Sequence, residues 1–183
     1  YAYYFANKWA DILRVKRRQQ PQRAKGTFGF HEWIRDAMAS DKPYDEFVRE
    51  IIAATGDEIS HPPTMWYREL NNFEQFVDDT AQVFLGLRLA CAQCHHHPYE
   101  KWSQDDYWGL AAFYSRVGTK NIVLPGFDPN RGQMQVRTIF TKPNGTINNK
   151  RTGKAADVKP LDGDPLTVAP GDDPRQLLVD WMV

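Results

Sequence analysis

Only two cysteines occur in this chain of 183 residues, so a disulfide framework cannot stand in for a hydrophobic core. No apolar run approaches the roughly 20 residues a membrane-crossing helix needs, and no secretory leader is visible. Neither sign of charge is in excess: Lys+Arg and Asp+Glu each total 23, a formal net charge of zero. That balance argues against nucleic acid or an anionic membrane as the principal partner. The one local bias is basic (Arg14, Lys16, Arg17, Arg18, Arg23, Lys25), and it reads as a solvated helix face and loop. Also missing are a nucleophile elbow, a phosphate-cradling Gly-rich loop and any paired-carboxylate signature. Internal repeats and low-complexity tracts are absent too.

What is present is length enough for one domain, or one large piece of a domain. Aromatic residues make up 13%, six of them Trp, so the expected core is heavy in rings. The chain starts at Tyr1 without a methionine and stops at Val183 inside an expected helix, and so reads as cut from a longer protein.

Helical periodicity dominates the first 117 residues. Phe5, Trp9, Ile12 and Leu13 mark one helix over 3–20, closed by Pro21. Trp33, Ile34, Ala37 and Met38 mark a second, broken at Asp41-Lys42-Pro43. Phe47, Val48, Ile51 and Ile52 mark a third, with Gly56 placed for a left-handed cap. Residues 57–72 read as a surface loop. Phe73, Phe76, Val77, Thr80, Val83, Phe84 and Leu87 hold the longest stripe, a helix expected to deliver the chain directly into Cys91. Ser103 is a candidate N-cap with Asp105 and Asp106 behind it, ahead of Tyr107, Leu110, Ala111 and Tyr114.

After Val117 the texture changes to turns and short strands. Gln133–Thr141 reads as a strand, and Asn144-Gly145 as a hairpin turn toward Ile147. Asp172-Asp173-Pro174 opens a last helix with proline at its first position. The expectation is a mainly α fold of about five helices over 1–117. An extended, loop-rich part over 118–171 holds a small β-hairpin, and residues 172–183 start a following helix.

One pentapeptide carries chemistry. Cys91-Ala92-Gln93-Cys94-His95 holds both cysteines, with a histidine directly behind them. Cys-x-x-Cys-His is the attachment signature of c-type haem. Two thiols add to the porphyrin vinyls, and the next residue is placed to bind the iron axially. Cys91, Cys94 and His95 are therefore the candidate cofactor-binding residues. Four other readings stand beside this one, the plainest being two buried free thiols next to an exposed His run. A thiol redox pair would want a thioredoxin-like βαβ context. A structural zinc or similar metal site would use Cys91 and Cys94 with His95 or His97, plus a distant fourth ligand such as His31 or His61. A metalloenzyme would add a carboxylate base from Glu100, Asp105 or Asp106, though acids there are more simply helix N-terminal charges.

The segment from Phe84 to Trp102, read as Phe-Leu-Gly-Leu-Arg-Leu-Ala-Cys-Ala-Gln-Cys-His-His-His-Pro-Tyr-Glu-Lys-Trp, is distinctive. With Gln104-Asp105-Asp106-Tyr107 and Leu110-Ala111-Ala112-Phe113 it closely resembles the planctomycete secreted cytochrome-like family, domain of unknown function 1549. Trp9–Arg14, Trp33–Asp36, Lys42–Val48 and Arg151–Lys154 fit the same pattern. Asp172–Met182 looks like the start of the companion domain that follows it. The resemblance implies a large secreted bacterial protein and, with the haem motif, an extracytoplasmic location; the haem reading adds a redox partner or neighbouring domains of the same protein as the expected partners.

The family pattern, Cys-x-x-Cys-His-x-His-Pro, falls on Cys91, Cys94, His95 and His97, with His95 and His97 as the candidate metal ligands. A plain haem motif does not need His97, whereas a metal site or a supporting contact would. A sixth ligand for electron transfer would come from Met65, Met134, His31 or His61. Tyr99, Trp102, Tyr107 and Phe84 are near enough in sequence to wall a haem edge.

Overall fold

The computed structural model describes residues 1–16, 24–70, 72–124 and 134–183. Arg17, Arg18 and Arg23 of the basic stretch, and the Gly126–Gly132 turn signals, lie outside that set. Among the described residues the fold is mainly α, seven helices with a small three-stranded antiparallel sheet. It divides into two compact units that interleave along the chain: Tyr1–Glu69 with Gly118–Phe140, and Leu70–Val117 with Thr141–Val183.

In the first unit α1 (Ala2–Ile12) packs on α2 (Ala24–Ala39). Phe30, Ile34 and Ala37 of α2 are buried at helical spacing, as are Phe47, Val48, Ile51 and Ile52 of α3 (Tyr44–Ile52). Rings do much of the filling: Trp33 stacks on Phe30 and Phe47 at centroid distances of 5.8 and 5.1 Å. The first helix is shorter than its apolar stripe predicts. It ends at Ile12, and Arg14 takes a left-handed φ of 57°, which a helix interior does not allow.

The stretch expected as a surface loop over 57–72 is largely buried between 63 and 70. After β1 (Gly56–Asp57), a 3-10 turn at Pro62–Met65 runs into α4 (Trp66–Glu69). Met65, Trp66, Tyr67 and Leu70 are each at most 1% exposed. Four residues are too few to show a helical period, and Pro62-Pro63 masked a buried segment as a loop. The Arg68 guanidinium anchors it, donating to Glu58 at 3.0 Å and to the Thr27 hydroxyl at 2.9 Å. Gly56 has the positive φ its residue type suggested, 103°. It begins β1, however, and does not cap α3, which closes at Ala53.

The sheet runs β1-β3-β2, with β2 at Val117–Leu124 and β3 at Met134–Thr141. Gly56 faces Ile139 and Asp57 faces Thr138. Asn144-Gly145 therefore does not turn a hairpin after β3. An extended segment passes there so close to Ser115 that a Cβ on Gly145 would sit 2.2 Å from the Ser115 carbonyl oxygen. The reversal falls at 149–154 instead, where Asn148 bridges Ala155 and Gly153 adopts φ 69°.

In the second unit α5 (Phe73–Phe84) packs on α6 (Gln104–Ala112). Helix α6 buries Tyr107, Trp108, Leu110, Ala111 and Ala112. Its start is the one the sequence predicted: the Ser103 hydroxyl accepts from the Asp106 N–H while the Asp106 carboxylate accepts from the Ser103 N–H. Helix α7 (Pro174–Met182) likewise opens with Pro174 behind the Asp173 cap.

Candidate functional site: the Cys-x-x-Cys-His turn

Helix α5 does not carry the chain straight to Cys91. It stops at Phe84, and Gly86 takes φ 69°, a backbone only glycine adopts at no steric cost. The N–H groups of Leu85 and Leu87 both return to the Ala81 carbonyl, at 3.2 and 2.9 Å. The chain thus leaves the helix sharply before it enters a 3-10 turn at Ala90–Gln93. Leu89 and Ala92 of this stretch are buried, and the Ala92 N–H closes on the Leu89 carbonyl at 2.8 Å.

Those inward anchors decide where the thiols go. Cys91 lies within the 3-10 turn and Cys94 closes it as the following residue, while Ala92 between them turns into the core. Both are exposed, and both are free thiols. From behind, the Gln104 side-chain amide donates to the Gln93 carbonyl at 3.0 Å, tying the turn to the first residue of α6.

His95 is exposed, and its Nδ1 lies 2.6 Å from the His96 carbonyl oxygen. A carbonyl only accepts, so Nδ1 carries the proton and Nε2 presents its lone pair. His97 has the opposite arrangement. Its Nδ1 accepts from the backbone N–H groups of Tyr99 and Glu100, at 3.3 and 2.9 Å, and its Nε2 donates to the Arg88 carbonyl at 3.1 Å.

Cys94 also has electrostatic neighbours, Tyr107 of α6 and Lys150 of the 149–154 turn. The buried Tyr107 hydroxyl donates to Asp78 at 3.2 Å, and its pKa is raised by burial first and then by the Asp78 charge. Burial likewise pushes the Asp78 carboxyl up. Lys150 pairs with Glu74 at 2.8 Å, which holds its ammonium in the charged form. None of these residues stood out in the sequence beyond Tyr107, because they come from three separate stretches.

The other candidates belong to the first unit or have partners of their own. Met65 is core of the first unit, His31 donates to Asn7 at 2.9 Å, and His61 is exposed in the first unit. Met134 opens β3, and its side chain lies outside the described set. Asp105 pairs with Arg151 at 2.9 Å and Asp106 with Lys159 at 2.9 Å. Tyr99 is 94% exposed while Trp102 is buried under Lys101. Among the described residues no group of three or more His, Cys, Asp or Glu side chains converges as a metal cluster.

Fold and turn together define a mainly helical protein that displays two thiols and an imidazole on one surface turn. The chain belongs to the family described as a protein of unknown function (DUF1549), named PSCyt2, whose model matches residues 1–119. No curated protein and no solved structure matches it.

Proposed function

We propose that the chain is a c-type cytochrome-like domain, carrying one haem for electron transfer in an extracytoplasmic bacterial protein. In this reading Cys91 and Cys94 would hold the haem through their sulfurs, and His95 would bind its iron through Nε2. Haem bound in this way would supply a one-electron couple. The observation that carries the reading is the donor set itself: two free, exposed thiols three residues apart, followed by an imidazole whose Nδ1–H is held by a carbonyl. Such a hydrogen bond fixes tautomer and ring orientation in metal-binding histidines generally.

The chain's own residues have definable tasks. Ala92 and Leu89 seat the turn in the core, Gln104 holds its Gln93 carbonyl, and the His96 carbonyl aims His95. Tyr107 and Lys150 are the electrostatic neighbours of Cys94. Among the described residues no helix is long and apolar enough to cross a membrane. In the same reading the electron goes to a redox partner or to a neighbouring domain of the same protein.

The test is expression in a host with cytochrome c assembly machinery, followed by a haem-stained denaturing gel and a pyridine haemochrome spectrum. A stained band that vanishes in Cys91→Ala/Cys94→Ala is the expected result. A well-folded, colourless product from that host would sink the reading and turn attention to bound metal.

A further inference from the structure

The geometry points to a different role for the second histidine of the run: His97 is a positioning residue that closes residues 88–102 around the motif, and it is not a ligand. The inference rests in part on the haem reading above, but its geometric basis does not. His97 uses every polar atom except its own carbonyl. Its ring accepts from Tyr99 and Glu100, its Nε2–H reaches the Arg88 carbonyl, and its backbone N–H donates to the Trp102 carbonyl at 2.8 Å.

Two consequences follow from this bonding. First, a nitrogen that already receives two N–H donors and a nitrogen that donates its proton leave no lone pair for a metal. His95, with Nδ1 held and Nε2 presented, is the complementary case two residues earlier. Second, the bonds join the near side of the motif (Arg88) to its far side (Tyr99, Glu100, Trp102). The segment holding Cys91, Cys94 and His95 is therefore a closed loop pinned at its neck. Pro98 suits this: it has no N–H to satisfy and a fixed φ. The next two N–H groups fold back onto the ring like a side-chain-capped turn. Freezing the loop before the cofactor arrives removes ordering entropy from the binding step.

The experiment compares the wild-type chain with His97→Ala and His97→Asn, each made in the cytochrome-competent host and also as cofactor-free protein. Asparagine keeps an acceptor at the position of Nδ1 and loses the reach to Arg88. Long-range proton–nitrogen NMR of the cofactor-free wild type should show the His97 proton on Nε2 and the His95 proton on Nδ1. Amide exchange at Tyr99 and Glu100 should be slow in the wild type, fast in His97→Ala and slow again in His97→Asn. Haem per chain should fall several-fold in His97→Ala and recover most of the way in His97→Asn. A proton found on His97 Nδ1 would overturn the inference, as would full haem loading of His97→Ala. So would a His97→Asn variant as empty as His97→Ala despite protected amides. If the wild type itself takes no haem, the cofactor reading fails, and the tautomer and exchange results alone decide His97.

Discussion

His95 and His97 are the same residue type two positions apart, yet one carbonyl at 2.6 Å and two amide donors at 2.9 and 3.3 Å give them opposite tautomers. Nothing in the order of letters says which is which, because the distinction depends on Arg88, Tyr99 and Glu100 arriving at one ring. A similar argument governs the wholly buried Arg175 and its partner Asp173. Burial works against the charged carboxylate, but hydrogen bonds and charge from Arg175, with the Thr141 hydroxyl at 2.9 Å, outweigh it and hold the Asp173 pKa below the usual range. A depressed carboxylate pKa contributes stability above its unfolded value, about 3.9, and loses it as pH falls through the folded one. Asp173→Asn is expected to flatten the acid limb of the stability profile and to lower stability at neutral pH by about 3 kcal/mol. Urea denaturation of both proteins across the acid range would show it, and parallel acid limbs would refute it.

Elements differ in how far local chemistry fixes them. The start of α6 is local: Ser103, three residues before Asp106, makes the reciprocal cap that its spacing announces. Ser103→Ala should therefore cost about 1 kcal/mol, seen as a lower urea midpoint with an unchanged slope. The path through Gly145 is not local. Asn-Gly is a strong turn signal, yet here the glycine serves the approach to Ser115, 30 residues earlier in the chain. Because the nearest atoms are backbone, at 2.2 and 2.9 Å, they cannot move aside as a flexible side chain would. Gly145→Ala is expected to destabilise by about 2 kcal/mol by overpacking, whereas Gly153→Ala, with open space around it, should cost only its backbone strain. A Gly145→Ala protein with the wild-type urea midpoint would contradict this.

At the scale of the whole molecule, the two units each draw on two separated stretches of chain. The Cys-x-x-Cys-His turn sits on the surface of the second, with its thiols outside the core. Stability and cofactor chemistry should then separate. Cys91→Ala/Cys94→Ala, made without cofactor, is expected to keep the unfolding free energy within about 0.5 kcal/mol of the wild type. A structural metal site predicts the reverse, a fold lost with its ligands or with a chelator. Thermal melts of the two proteins with and without chelator distinguish these outcomes directly.

The amino-acid sequence by itself determined the mainly α character, the long stripe of α5, both capped helix starts at Ser103 and Asp173, and the motif with its family. Each of these rests on contacts within a few residues, which spacing records. Tertiary structure decided the rest. It buried Met65, Trp66 and Tyr67 in what reads as a loop, ended α1 and α5 early, and turned Gly145 from a hairpin signal into a close approach. It also brought Tyr107 and Lys150 beside Cys94 and paired them with Asp78 and Glu74 from a third stretch. Such outcomes depend on which distant surfaces meet, and neither periodicity nor propensity encodes that.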